Sequence, residues 1–292
     1  MSTTSGPTTR SGLRPPSRPV APAVPPLRPA APGKAGVDEY VSFCEGVRAL
    51  TGLDLLQYKR GQMERRVRTF VGRQEARSLS DYLAVLRQDA AELDRFLDRV
   101  TINVSQLWRN PEQWEALGRE VIPQLAEARR IRVWSAGCSY GAECYTIAAV
   151  CLEYAPDARV EVKGTDIDPR MLARARAGVF SQEDVRTVPA ASLKRWFDGT
   201  DEGWQAKPEL ARAISFDRAD LLSMPAPTAA YDLVLCRNVV IYFTEDVRDR
   251  LHARLASSLR SGGFLVVGST ERVSGAEEMG LTLTRPFTYR KA

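Results

Sequence analysis

Apolar and polar positions divide the chain into three regimes. Residues 1 to 35 show no period. They are rich in Pro, Ala, Ser and Thr with scattered Arg, and hold nine of the 18 prolines. Such a segment cannot bury enough apolar surface to offset its ordering entropy, so a disordered tail is expected. From residue 36 to 100 the period is helical. Tyr40, Phe43 and Val47 share one face, and Gly52 stops that helix. Met63, Val67, Phe70 and Val71 mark a second helix within "YKRGQMERRVRTFVGRQ". Ser80-Asp81 opens a third, and Leu93, Phe96, Leu97 and Val100 mark a fourth. The pattern predicts a small all-helical domain with one conspicuously basic helix.

After a linker at residues 101–111 the rhythm changes. From 112 to 292, apolar runs ("IRVWSA", "RVEVKGTD", "YDLVLC", "GFLVVGS") alternate with helical stretches. The helices are "WEALGREVIPQLAE", Tyr145 to Tyr154, "PRMLARARAG" and "TEDVRDRLHARLASSLR", the last ended by Gly262-Gly263. Alternation at this spacing predicts an α/β domain with a mostly parallel sheet, whose ligands sit at the carboxyl ends of the strands. Between about 181 and 214 it lapses, and "LKRWFDG", "GWQAK" and "ARAISF" read as short inserted strands.

Composition narrows the chemistry. No run of about 18 apolar residues exists, so no membrane insertion is expected. Arg10, Arg14, Arg18, Arg28 and Lys34 lie in the first 35 residues without an acidic partner. Removing those five from 41 basic residues leaves 36, equal to the 36 acidic residues. A neutral body argues against a nucleic-acid partner. The five cysteines form no CxxC pair, and His252 is the single histidine. The thiols read as reduced in a cytoplasmic protein, and neither a metal centre nor a Ser-His-Asp triad is expected.

The strand "IRVWSA" runs into Gly137 and Gly141, a β-α turn that either cradles a ligand or only turns the chain. The spacing is not the dinucleotide G-x-G-x-x-G. The next strand ends in "GTDID", where an acid is placed to meet a ribose diol. Asp166 is favoured as that ligand, with Asp168, just before Pro169, as a helix cap. A glycine turn without the pyrophosphate pattern, followed by a ribose acid, suits a nucleoside cofactor lacking phosphates, of which S-adenosylmethionine is the commonest. Arg237 and Asn238 end the apolar strand "YDLVLC" at the same edge. No Asp/Asn-Pro-Pro-Tyr/Phe motif is present there, which argues against adenine methylation.

The motifs "FLDRVTINVSQLWRN", "VWSAGCSYGAECYTIA", "GTDIDPRMLARARAGVF", "DLVLCRNVVIYF" and "GGFLVVGSTE", with "TGLDLLQYKRGQMERRV" before them, resemble the bacterial chemotaxis receptor glutamate O-methyltransferase family. The resemblance covers about residues 38 to 292. It implies a Rossmann-like methyltransferase domain with an inserted small antiparallel β-subdomain, preceded by an all-helical domain, and methyl transfer from S-adenosylmethionine to receptor glutamates. Matched residue by residue, Asn103, Ser105 and Arg109 correspond to linker residues that contact cofactor. Glu143 corresponds to an acid for the cofactor ammonium, Asp166 to the ribose acid and Asp220-Leu221 to an Asn-Leu pair flanking adenine. Asn238-Val239 correspond to residues near the methionine end. Gly141-Ala142-Glu143-Cys144-Tyr145 stands where the family has Gly-Glu-Glu-Pro-Tyr, so one acid is lost.

Methylating a carboxylate needs little acid-base machinery, because the nucleophile is already ionised at neutral pH. Alignment and exclusion of water are the main requirements. An arginine can hold the non-reacting carboxylate oxygen, with Arg109 and Arg237 as candidates and Tyr242 beside them. Lys59, Arg60, Arg65, Arg66 and Arg68 are expected to dock the Glu-rich receptor helices. The expected enzyme is a monomer. The match to the tether-binding β-subdomain is loose, and no dependence on a receptor C-terminal pentapeptide is expected.

Overall fold

Helix α1 (Glu39–Thr51) starts at Asp38, whose carboxylate accepts from the amides of Tyr40 and Val41, and ends at Gly52 with φ 82°. Only a residue without Cβ takes that left-handed conformation cheaply. α2 (Arg60–Val71), α3 (Leu79–Gln88) and α4 (Ala90–Val100) follow. Ser78, not Ser80, caps α3, its Oγ accepting from Asp81 N at 3.0 Å. Phe43 meets Phe96 edge-on at 5.6 Å, and Val47, Met63 and Val67 close the core around them. The computed structural model describes Met1 and residues 38–74, 76–101, 105–225 and 227–292. The expected tail beyond Met1 and the candidate Asn103 lie outside the described residues.

The stretch expected as one helix from Trp114 is α5 (Pro111–Ala116) and α6 (Ile122–Ala126) joined by a π-helical turn at Leu117–Val121. Pro123 has no amide to give the preceding turn, and the helix widens there. Next come β1 (Arg130–Ala136), α7 (Ala142–Tyr154), β2 (Arg159–Asp166), α8 (Pro169–Ala177), β3 (Val179–Phe180), α9 (Ala190–Trp196), β4 (Phe197–Thr200), β5 (Gly203–Ala206) and α10 (Pro208–Ala211). The chain finishes with β6 (Ile214–Arg218), β7 (Tyr231–Cys236), α11 (Glu245–Ser258), β8 (Leu259–Val267), β9 (Leu281–Arg285) and β10 (Thr288–Lys291).

Seven strands form one sheet in the order β6-β2-β1-β7-β8-β10-β9. The first five are parallel, and β10 runs antiparallel to both its neighbours. Side chains alternate strictly between two cores. Ile131, Val133, Leu233, Leu235, Phe264 and Val266 face one layer. Trp134, Ala136, Val234, Cys236, Leu265 and Val267 face the other. Strand order reverses between β1 and β7, so their carboxyl ends part and open a crevice.

Two boundaries differ from the sequence reading. The small antiparallel sheet is β3-β5-β4, whereas Ile214 to Arg218 form β6, paired in parallel with β2 at the edge of the main sheet. Phe216 carries that strand into the main core. α11 ends at Ser258 rather than at the glycine pair, because Leu259 already pairs with Tyr231. Gly262, at φ 77°, lies where the register then jumps to Leu233–Phe264.

The helical layer is stitched to the sheet's crevice. Tyr58 forms an antiparallel bridge with Phe243, their rings 4.9 Å apart. Lys59 N donates to Tyr242 O at 2.9 Å, and Thr244 N to Gln57 O at 3.0 Å.

Candidate active site at the carboxyl edge of the sheet

Two contiguous cavities open at this edge. The larger, about 590 Å³, lies between the helical layer and the sheet. Leu53, Tyr58 and Val100 close one side, and Asp166, Asp220, Leu221 and Tyr242 the other. The smaller, about 60 Å³, is lined by Ser105, Gln106, Arg109, Glu143 and Arg237. Both share Gly137, Asn238 and Val239. Of the described residues expected at the site, all but Gly141 line one or the other. Gly141 instead turns the chain into α7 at φ 84°, where a Cβ would stand 2.9 Å from Ala175 Cβ. Gly137, at φ 78°, permits a second close approach, since a Cβ there would meet Val239 Cγ2 at 2.7 Å.

Glu143, in the first turn of α7, reaches back to β1. Ser135 Oγ donates to its Oε1 at 2.8 Å, and Arg237 Nη1 lies 3.3 Å from its Oε2. Burial pushes the Glu143 carboxyl up in pKa, opposed by the Arg237 guanidinium beside it. The Arg237 side chain is 3% exposed. Its Nη2 donates to Arg109 O at 2.9 Å, Gln113 Oε1 at 2.6 Å and Asn110 Oδ1 at 3.2 Å, and it stacks over Trp114 at 4.6 Å. This guanidinium, expected as a candidate to hold the acceptor carboxylate, therefore joins the end of β7 to residues 109–113 and to α7.

The two acids after β2 divide their tasks. Asp168 caps α8, accepting from Arg170 N at 2.9 Å. Asp166 faces the larger cavity and accepts from Ser139 N at 2.7 Å and Asp168 N at 3.0 Å. Burial raises its pKa, and those amides oppose the rise. Asp220 accepts from Leu222 N at 2.9 Å and Ser223 Oγ at 2.8 Å, so its carboxylate also closes a turn. Tyr242 is half-buried in the larger cavity, and burial raises its pKa.

Asn238 adopts φ 60°, and its amide donates to Glu271 Oε2 at 2.9 Å. The same oxygen accepts from Gly268 N at 2.6 Å. Burial pushes the Glu271 carboxyl up against the pull of these amides. Glu271 is absent from the sequence-derived candidates. Its signal was present as the first acid after β8, at the edge already flagged for β2 and β7.

The basic helix presents a smaller positive face than its composition implies. Arg60 pairs with Asp38 and Glu64, and Arg68 with Glu39 and Glu64. Arg66 donates to Val100 O at 3.0 Å, and Lys59 Nζ to Ile241 O at 3.0 Å. Arg65 is exposed. Among the described residues no group of three or more His, Cys, Asp or Glu is placed to hold a metal, and no helix is long and apolar enough to cross a membrane.

A parallel sheet with this reversal, a glycine turn after its first central strand and an acid after the next define an α/β fold that binds a nucleoside-containing cofactor at its carboxyl edge. The chain is similar to the "CheR methyltransferase, SAM binding domain" over residues 103–285 and to the "CheR methyltransferase, all-alpha domain" over residues 38–101. It belongs to the CheR methyltransferase family. The chemotaxis protein methyltransferases of Listeria innocua and Listeria monocytogenes are each 34% identical to it over 255 residues, covering 87% of this chain and 97% of theirs. That of Borreliella burgdorferi is 28% identical over 82% of this chain and 89% of its own. The activity follows from membership: methyl transfer from S-adenosylmethionine in chemotaxis-type signalling, with receptor glutamates as the family's acceptors. The residues fit that cofactor. Two acids, Glu143 and Asp166, face adjoining cavities, and Gly137 keeps open the backbone shared by both.

Proposed function

We propose that the two cavities together form the transfer site for glutamate side chains of chemoreceptor cytoplasmic helices. Asp166 holds the ribose hydroxyls of the cofactor, Leu221 borders its adenine, and Glu143 meets its ammonium group. Ser105, Gly137, Asn238 and Val239 shape the methionine end, and Asp220 acts through the turn that sets Leu221. When bound, S-adenosylmethionine supplies an electrophilic methyl group on a sulfonium, which an ionised carboxylate can take without a general base. Arg109 and Tyr242 orient the acceptor carboxylate and exclude water around it. Arg237 positions Arg109 by holding its carbonyl, a revision of the direct contact expected for Arg237 from sequence.

The observation that carries this reading is the meeting of Arg109, Glu143 and Arg237 around the small cavity, beside Asp166 in the large one. The basic helical layer roofs the large cavity, and its Lys59, Arg65 and Arg66 steer the acidic receptor surface toward it. The product is S-adenosylhomocysteine, and a metal-free monomer in the cytoplasm suffices. The test is transfer of labelled methyl to receptor cytoplasmic domains. Label on glutamate released by mild alkali is the expected result, because methyl esters hydrolyse and N-methyl groups do not. Alkali-stable label, or none, contradicts it.

A further inference from the structure

The segment that carries Ser105 and Arg109 is bent and needs to be held. Trp108 (φ 52°) and Asn110 (φ 60°), on either side of Arg109, are both left-handed without being glycine. Such residues persist only where their surroundings over-determine them.

Part of the hold comes from a distant stretch of chain, between β3 and α9 at the opening of the small antiparallel sheet. Leu107 N donates to Asp184 O at 3.1 Å, and Thr187 Oγ1 donates to Leu107 O at 2.7 Å. Gln106 Nε2 in turn donates to Thr187 Oγ1 at 2.7 Å. The Tyr140 hydroxyl lies between Asp184 Oδ1, at 2.7 Å, and Ser105 O. The other Asp184 oxygen is fixed by Arg174 Nη2 at 2.8 Å and Ser181 N at 2.9 Å. Asp184 and Tyr140 are buried. These contacts bridge about 80 residues of sequence for Thr187, and nothing in the local pattern announces them.

We propose that Thr187 and Asp184 are positioning residues for methyl transfer, fastening residues 105–107 so that the bend beyond them delivers Arg109 to the small cavity. Without the Thr187 hydroxyl, Leu107 O loses a donor and the strained bend can relax, carrying Arg109 away from its productive position. The proposal rests on the reading of Arg109 given above, and its test separates the two.

The test is a double-mutant cycle between Thr187→Val and Arg109→Ala, with Thr187→Ser as the conservative rescue. kcat/KM is measured across the cycle, and the dissociation constant for S-adenosylhomocysteine is read beside it to separate loss of acceptor positioning from loss of cofactor binding. Thr187→Val is expected to lose about tenfold in kcat/KM. Thr187→Ser, which keeps the hydroxyl, should stay within about twofold of wild type. In the Arg109→Ala background, Thr187→Val should change either quantity by less than about twofold, because the group it positions is gone. Thermal midpoints are read in parallel, and Asp184→Asn passes through the same cycle should Thr187→Val fail to fold. A wild-type Thr187→Val, an unrescued Thr187→Ser, or equal losses with and without Arg109 would each overturn the proposal. An Arg109→Ala enzyme that works like wild type would overturn the underlying reading as well.

Discussion

In the helical layer, elements begin and end where local chemistry dictates: Asp38 caps α1, Gly52 stops it, Ser78 caps α3 and Asp89 caps α4. At the carboxyl edge of the sheet the local rules are broken repeatedly. Trp108, Asn110, Ser139 and Asn238 all take left-handed conformations without being glycine. Trp108, Asn110 and Asn238 lie in or beside residues that line the small cavity, and Ser139 donates its amide to Asp166 of the large one. The same contrast appears in the arginines. Arg60 meets its acids with its side chain 54% exposed, whereas Arg237 meets Glu143 at 3% exposure. One region is stable because its parts agree locally. The other is held by long-range contacts, and it is the region proposed above for methyl transfer.

The largest expected effect breaks that contrast at its centre. Arg237→Ala leaves Glu143 buried without its cation and removes one of the two donors to the Arg109 carbonyl, leaving Trp114 Nε1 at 2.9 Å. It is expected to lower unfolding stability by about 3–5 kcal/mol in urea titrations. Arg60→Ala, which disrupts an exposed pair, should leave the urea midpoint nearly unchanged. Equal shifts would erase the distinction between the regions.

The next effect is set by pH. His252 is fully buried in α11, both ring nitrogens lacking a partner among the described residues, and burial pushes its pKa from 6.5 down to about 4. A histidine depressed in the folded state favours folding fully above the unfolded value of 6.5 and loses that contribution as pH falls towards 4. Stability should fall over this window by up to about 3 kcal/mol. His252→Leu should flatten this acid limb in a pH series of thermal melts, and an unchanged limb would assign it to other groups.

Gly137→Ala sharpens the comparison inside the site. It forces Cβ to 2.7 Å from Val239 Cγ2 at φ 78°, so about 1–2 kcal/mol of stability and some affinity for S-adenosylhomocysteine should be lost together. Smallest on stability is Arg65→Glu combined with Arg66→Glu on α2. Receptor methylation at low salt should drop several-fold and lose its steep salt dependence, while cofactor affinity stays constant. Equal changes in both would detach these arginines from docking.

Legibility followed the same divide. The four helices, the main strands and the acid pair after β2 could be read because each rests on short-range spacing, down to Asp168 as cap with Asp166 facing the cavity. Misreadings arose where pairing decides: β6 looked like part of the insertion until β2 claimed it, and Leu259 left α11 to pair with Tyr231. Tyr140, Asp184 and Thr187 are invisible to local pattern because their partners lie in other segments of the chain, whereas Glu271 is legible as the first acid after β8. Arg237 was seen at the correct edge, but its burial against Trp114 and its chain of acceptors could not be read from one strand end.

The central claim is that Glu143 is the acid left to meet the cofactor, and Glu143→Gln tests it most directly. The amide keeps the size and can still bond Ser135 and Arg237, so the fold should survive while the negative charge is lost. Calorimetric titration with S-adenosylhomocysteine should show affinity reduced by about 10–100-fold, the value of a charge-assisted hydrogen bond in a buried site. Wild-type affinity in a folded Glu143→Gln protein would contradict the account.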